Sequence, residues 1–437
     1  MGRIVNRGRA RKIKGGKRLK RLFLRTGGTD TMMGMEALQR RLNAKQVRVR
    51  LRYEYYDMKY AVQDLRISTP DALLGLQNVL GWCGKAVDSV ADRLIFRGFG
   101  EGAGDVFNFQ EIFALNNPDT FFDSAFLSAL ISSCCFIYIS ADEAGFPRLQ
   151  VIDGGNATGD VNPITGLLNE GYAVLKRDPE TNEPVTEAYF TPERTEIYIA
   201  GEKKPRIYPH KAGHPLLVPV IYRPDAKRPF GHSRISRACM DIVNSAVRTV
   251  KRSEISAEFY SYPQKYMLGT DPDRDPLDKW KATISTMIEI SKDSDGEKPT
   301  VGQFTQQSME PHLAQLRMFA GMFAGETGLT LDDMGFPSEN PSSSEAIRAS
   351  HENLRLTAAK AQRTFGVGIR NVGFLATCLR DDRTYLRQQF TDTKLLWDPI
   401  FSPDASQLAG IGDAVQKIQT SFPDYFDEEK LRVMTGI

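Results

Sequence analysis

The sequence predicts an α+β fold, with strands and helices segregated along the chain. Short β-prone runs crowd between residues 134 and 223 with turns but no helices between them. Long stretches of helical periodicity follow at 231–262, 308–326 and 344–379, and a small mixed insert at 263–307 separates the first two. Strand runs followed by helix runs, without βαβ alternation, describe an antiparallel meander joined to helices rather than a doubly wound sheet.

Met35 to Asp64 reads as a helix bearing Leu38, Leu42, Val49 and the aromatic cluster "YEYYDMKY". Pro70 precedes a second helix, "DALLGLQNVLGWCGKAVDSVADRL", and then a strand, "IFRGF". The stretch "GFGEGAG" (Gly98–Gly104) departs from the G-x-G-x-x-G phosphate cradle because Ala103 holds the third glycine position, so a turn is expected. Gln110 to Ser132 forms two helical pieces broken at Pro118, leading into "CFIYIS". The meander comprises "RLQVID", "GYAVLKR", "VTEAYFT", "TEIYIA" and "LVPVIYR".

The next helix takes Ser233 as its N-cap and runs to Pro263 with a stripe of Ile235, Cys239, Ile242, Ala246, Val250 and Ala257. The insert reads as strand "KYML", an acidic loop, a short helix around Trp280, strand "MIEIS" and then "VGQF". Ser308 starts a helix with Leu313, Leu316, Ala320 and Phe323 on one face. After the Pro/Ser-rich loop "GFPSENPSSS", Ser342 and Glu345 form a capping box. Ile347, Ser350, Leu354, Ala358, Ala361, Phe365, Ile369, Val372, Ala376 and Leu379 then mark one long stripe, kinked at Gly366, Gly368 and Gly373. A strand, "TKLLWDPIF", and a helical tail close the chain.

At 437 residues, 41% hydrophobic and 25% charged, the composition is that of an ordinary soluble protein with more than one module. The longest apolar run, Phe126–Ile139, is too short to span a bilayer, and no membrane partner is expected. The basic N-terminus leads only to Leu22–Leu24, so no signal peptide is expected. Five cysteines without repeating spacing point to a reducing compartment and assembly in cytoplasm.

Charge is unevenly placed. Arg3, Arg7, Arg9, Arg11, Lys12, Lys14, Lys17, Arg18, Lys20, Arg21 and Arg25 all precede the first acid, Asp30. With a net charge of +3 overall, these eleven leave the rest of the chain at −8. A basic arm on an acidic body is a solvated tail, or binds nucleic acid or an acidic protein surface.

Chemical motifs are missing: there is no G-x-x-x-x-G-K-[ST], H-E-x-x-H, C-x-x-C or G-x-S-x-G. His210 and His214 lie in a Pro/Gly turn rather than on one helical face. Asp271, Asp273, Asp275 and Asp278 lack the glycine and the distal glutamate of a calcium loop. Asp381-Asp382 reads as a surface pair rather than a catalytic dyad. No metal, cofactor or catalytic residue is expected.

An ordered series of segments gives a more specific reading. "RYEYYDM", "NVLGWCGKAVDSVADRLIFRGF", "AGHPLLVPVIYRPDAKRPFGHSRIS", "YPQKYMLG", "VGQF", "ETGL", "NPSSSEAI" and "LLWDPIFSPDASQLAGIGDAVQKI" occur in that order. The series resembles the portal (head-to-tail connector) proteins of tailed bacteriophages, siphophage type, from about Met35 onward. The arm of residues 1–34 is not part of that pattern. The resemblance implies a portal fold: a β-rich wing (35–230, with 380–400), a paired-helix stem (231–262 and 308–326), a small α/β clip (263–307), a tunnel loop (327–343), a long kinked helix (344–379) and a short helical crown (401–437).

It further implies a non-enzymatic homo-oligomeric ring, a dodecamer at one capsid vertex of the virion, conducting double-stranded DNA during packaging and ejection. The channel residues implied are Asp332, Asp333, Met334, Phe336, Glu339 and Asn340. The clip residues Asp271, Asp273, Arg274, Asp275, Lys279 and Trp280 would dock the terminase large subunit and later the head–tail adaptor. The arm would contact DNA or the major capsid protein. A nuclease, or another oligomeric virion head or adaptor protein, is the alternative.

Overall fold

The computed structural model describes residues 32–63, 75–100, 102–261, 265–268, 300–303, 308–337, 344–401, 403, 405–423 and 425–435. The first helix, α1 (Met35–Tyr56), buries Leu38 and Leu42 against Tyr172 and Val174. It stops short of the expected Asp64, because Met58 takes a left-handed backbone (φ 58°). The second helix, α2 (Trp82–Ala91), also begins later than expected. The Tyr60 hydroxyl accepts the Leu80 amide (2.8 Å) and donates to the Leu80 carbonyl (2.9 Å), which holds that stretch outside a helix.

Next come β1 (Phe96–Phe99), α3 (Ala103–Val106), α4 (Phe109–Ala114), α5 (Pro118–Ser132) and β2 (Cys134–Ala141). The glycine-rich stretch is not one turn: Gly98 (φ 140°) lies in β1 and Gly104 in α3, with Gly102 (φ 117°) between the two elements. Pro118 opens α5, where its missing N–H costs nothing.

The meander follows as β3 (Pro147–Asp153), β4 (Ala157–Val161), β5 (Leu168–Arg177), β6 (Pro184–Phe190), β7 (Arg194–Ile199), β8 (Arg206–Pro209) and β9 (Leu217–Ile221). Every pairing is antiparallel, in a three-stranded sheet ordered β3-β2-β9 and a five-stranded sheet ordered β4-β5-β6-β7-β8. The two strands that the sequence reading missed, β4 and β8, are the edges of the larger sheet. Every residue of β8 is exposed, whereas β4 buries Ala157, Thr158 and Gly159, small residues that give no strand signal.

Strand β2 shows how the two cores divide. Its side chains alternate between faces, so Cys135, Ile137 and Ile139 enter the main helical core. Cys134 and Phe136 instead pack with Ala173, Ala188, Phe190 and Leu217 between the two sheets.

The helical half comprises α6 (Arg237–Ser261), the paired strands β10 (Lys265–Leu268) and β11 (Thr300–Gln303), α7 (Glu310–Thr327), α8 (Ser344–Ser350) and α9 (Glu352–Arg380). A short 3-10 turn (Arg387–Phe390), β12 (Leu395–Trp397), α10 (Ala405–Ser421) and α11 (Glu428–Thr435) complete the chain. Strand β12 returns to pair with β1, and Arg97 grips Asp398 with two bonds of 2.6 and 2.7 Å. The expected capping box at Ser342, the strand "MIEIS" and the helix at Trp280 lie outside the described residues.

Leu354, Ala358, Ala361, Phe365, Ile369, Val372 and Ala376 are buried along α9 as their spacing predicts, whereas Ile347 and Ser350 are exposed. Helix α9 continues through Gly366, Gly368 and Gly373, and the helical run breaks upstream at His351. The glycines are points of close contact. A Cβ on Gly373 would lie 2.3 Å from the Phe109 ring, and one on Gly368 would lie 2.9 Å from Val220.

Candidate functional site

Helices α6 and α7 pack side by side. Ser236, not Ser233, caps α6: its hydroxyl accepts the Cys239 amide at 3.1 Å. Ser233 instead donates to the Ile131 carbonyl (2.6 Å), tying the approach to α6 onto the end of α5. Ile235, just before α6, and Cys239, Val243 and Val247 on it share one core with Ala320, Phe323 and Ala324 of α7, while Ile242 and Val250 of the expected stripe are half-buried. Leu313 was expected on that face but is 51% exposed, because the first half of α7 projects beyond the core. Polar bridges join the pair: Thr249 donates to Gln315 (3.1 Å) and Ser236 to Glu326 (3.0 Å).

Arg234 sits where these elements meet and is only 8% exposed. Its guanidinium donates to the Ala86 carbonyl of α2 (3.0 Å) and to the Thr327 carbonyl at the end of α7. A cation at a helix C-terminus satisfies an orphan carbonyl and complements the helix dipole. The turn that follows α7 therefore departs from an anchored point.

Gly328 ends α7 in the left-handed region (φ 68°). The chain then folds back on itself. The amide and hydroxyl of Thr330 both donate to the Asp333 carboxylate at 2.9 Å, and the Asp333 amide returns a bond to the Thr330 hydroxyl at 3.1 Å. The Met334 and Phe336 amides both donate to Leu331 at 3.0 Å. His351, at the break between α8 and α9, places Nδ1 3.7 Å from the Asp333 carboxylate and packs its ring 6.1 Å from Phe401.

This geometry sorts the six expected channel residues. Asp332 is exposed, while Asp333 is committed to the lock with Thr330. Met334 is corrected: at 7% exposure it packs into the core as an anchor of the turn, joined by the half-buried Phe336. Glu339 and Asn340 lie outside the described residues, as do Asp271, Asp273, Arg274, Asp275, Lys279 and Trp280, and the arm from Arg3 to Arg21. Residues 327–343 contain three acids and neither lysine nor arginine.

Among the described residues no group of three or more His, Cys, Asp and Glu is placed to hold a metal. His210 and His214 are each shifted to lower pKa, first by burial. Asp381 is bound by Arg380 and Tyr385, whereas Asp382 pairs with Lys211, so the two acids serve separate contacts.

No protein-family model matches the chain. Over 331 residues it is 23% identical to the portal protein of Mycobacterium phage L5, an alignment covering 71% of this chain and 67% of that protein. Over that length the chain is similar to a phage portal protein. The portal protein of Mycobacterium phage D29 aligns over the same length with 22% identity. Solved structures with some likeness are a chain from the neck of a native gene transfer agent particle, computed with C12 symmetry, and a chain from the virion of such a particle. The first has a TM-score of 0.43 at 13% identity, covering 87% of this chain and 97% of that one. The second has a TM-score of 0.41 at 12% identity, covering 89% and 99%.

The curated proteins that the chain resembles are both named portal proteins. In this fold Arg234 and the Thr330–Asp333 pair hold the turn after α7, and His351 lies beside it. Sequence reasoning missed Arg234, Thr330 and His351. A lone arginine in "GHSRIS" and a lone histidine in a long helix carry no spacing signal; only the fold brings them to their partners.

Proposed function

We propose that copies of this chain close into a dodecameric ring at one vertex of a phage head, and that double-stranded DNA passes through it in packaging and in ejection. The turn at 328–337 belongs to the constriction of that channel. The clip meets the terminase large subunit first and the head–tail adaptor later, through Asp271, Asp273, Arg274, Asp275, Lys279 and Trp280. The wing and the basic arm meet the major capsid protein or packaged DNA.

The observation that carries this reading is the braced, base-free turn. Each Lys or Arg on a duplex phosphate releases counterions and adds affinity, so a wall over which DNA must slide is served by their absence. A turn carrying Asp332 and no basic side chain, fixed through Arg234 and the Thr330–Asp333 lock, can bound a duplex closely without holding it.

Negative-stain imaging of the purified protein tests the ring. Wide annular particles with a central hole are expected; uniformly monomeric particles at every concentration would contradict the proposal.

A further inference from the structure

A cleft of about 880 Å³ opens between α9, the β4–β5 hairpin and the loop after β9. Its walls are largely apolar, built from Pro163, Ile164, Pro219, Ile221, Pro229 and Val367. Three cations line it: Lys360 and Arg363 on the exposed face of α9, and Arg387, which donates to the Thr165 carbonyl (3.0 Å) and to Asn371 (3.3 Å). A smaller pocket of about 150 Å³ adjoins through Val367 and Arg387 and adds Arg370, whose Nε is buried without a hydrogen-bond partner.

The one acid lining the cleft, Asp225, is already engaged. It accepts the Lys227 and Arg228 amides at 2.7 Å and lies 2.6 Å from the His232 ring. Lys360 and Arg363 make no ion pair among the described residues. The cleft thus offers apolar walls with unmet positive charge, and at its mouth Ile164 is 89% exposed. Proline and aliphatic walls suit side chains rather than a phosphate backbone, so its complement is a peptide bearing both aromatic rings and carboxylates.

The chain carries such a segment between α10 and α11. Phe422 and Tyr425 are 64% and 58% exposed, Phe426 packs edge-on to Tyr425, and Asp427, half-exposed in a surface pair with Lys430 (3.2 Å), is followed by Glu428. We propose that the cleft of one copy receives residues 422–428 of a second copy, with the aromatic rings on the proline walls and the carboxylates toward Lys360 and Arg363. Such a head-to-tail contact uses two different surfaces of one chain, the kind of interface that closes rings. The inference rests on the ring reading above and specifies one contact within it.

Mixing two single variants, I164C and F422C, tests it in the full chain with a short bismaleimide. All five native cysteines are buried, so labelling is confined to the introduced thiols. A covalent dimer that forms only in the mixture is expected. The K360E/R363E double variant should weaken subunit association at least tenfold, and adding D427K/E428K should restore it. If wild type forms no ring, the ring reading itself fails. If wild type forms rings but the mixture gives no dimer and the charge reversals are silent, this inference alone is overturned. It is equally overturned if K360E/R363E abolishes binding of short duplex DNA while leaving assembly intact.

Discussion

Arg234 donates to carbonyls on two helices while 8% exposed, so its removal leaves the Thr327 carbonyl at the end of α7 without that donor and opens a gap in the core. Hydrogen bonds from a charged group contribute about 1.5–3 kcal/mol each. The R234A variant should lose about 2–4 kcal/mol by urea titration. R234K should recover little, because an ammonium cannot reproduce the two-armed reach of the guanidinium. Asp225 is a contrasting case. The His232 ring, then the loop amides, hold its carboxyl down at about 2, below an ordinary aspartate. A depressed acid contributes stability above its unfolded pKa of about 3.9 and loses it as pH falls toward the folded value. The stability gap between wild type and D225N should therefore be full at pH 6 and narrow steadily as pH is lowered below 4. A gap independent of pH would show that the carboxylate charge is not what orders this loop.

Element by element, legibility followed burial. The stripe of α9 from Leu354 to Ala376 could be read from spacing because one face is buried along its whole length. The meander was readable where strands carry long aliphatic and aromatic side chains; it was missed at β8, which is wholly exposed, and at β4, whose buried residues are Ala157, Thr158 and Gly159. Close packing and kinking leave the same mark in a sequence, so the contacts of the α9 glycines became visible only in the fold. Their role yields a prediction in which two magnitudes compete. Replacing a helical glycine by alanine gains about 1 kcal/mol of helix propensity, whereas overpacking costs about 1–3 kcal/mol. At Gly373 the new methyl would meet Phe109, itself fully buried and packed edge-on to Phe99, so G373A should be net destabilising. At Gly410 nothing lies within 4 Å, and G410A should raise the melting temperature. Equal effects at the two sites would contradict the contact role. The turn after α7 makes an electrostatic prediction: D332K combined with E339K should slow or stall DNA packaging while leaving rings intact, and unchanged packaging would remove charge from the account.

For the whole molecule, the segregation of charge sets what an isolated chain does not explain. An arm with eleven basic residues and one acid, Asp30, adjoins a body of net charge −7, and the body ties down the root of that arm. The buried Glu170 carboxylate accepts the Met33 and Gly34 amides and the Tyr189 hydroxyl. Deleting residues 1–28 should leave assembly intact but weaken either DNA binding or incorporation into heads; if both persist unchanged, the arm is a passenger. The likeness to portal proteins was legible because many weak segments occur in one order. The residues that hold or flank the candidate turn were not, because Arg234, Thr330 and His351 acquire meaning only from partners brought close by the fold. Electron cryomicroscopy of DNA-filled heads bears most directly on the central claim. It should show this chain as a ring at a single vertex, with a rod of duplex density on the axis and the 328–337 turns nearest to it. Copies spread over the shell, or a ring whose axis is closed by its own folded core, would contradict it.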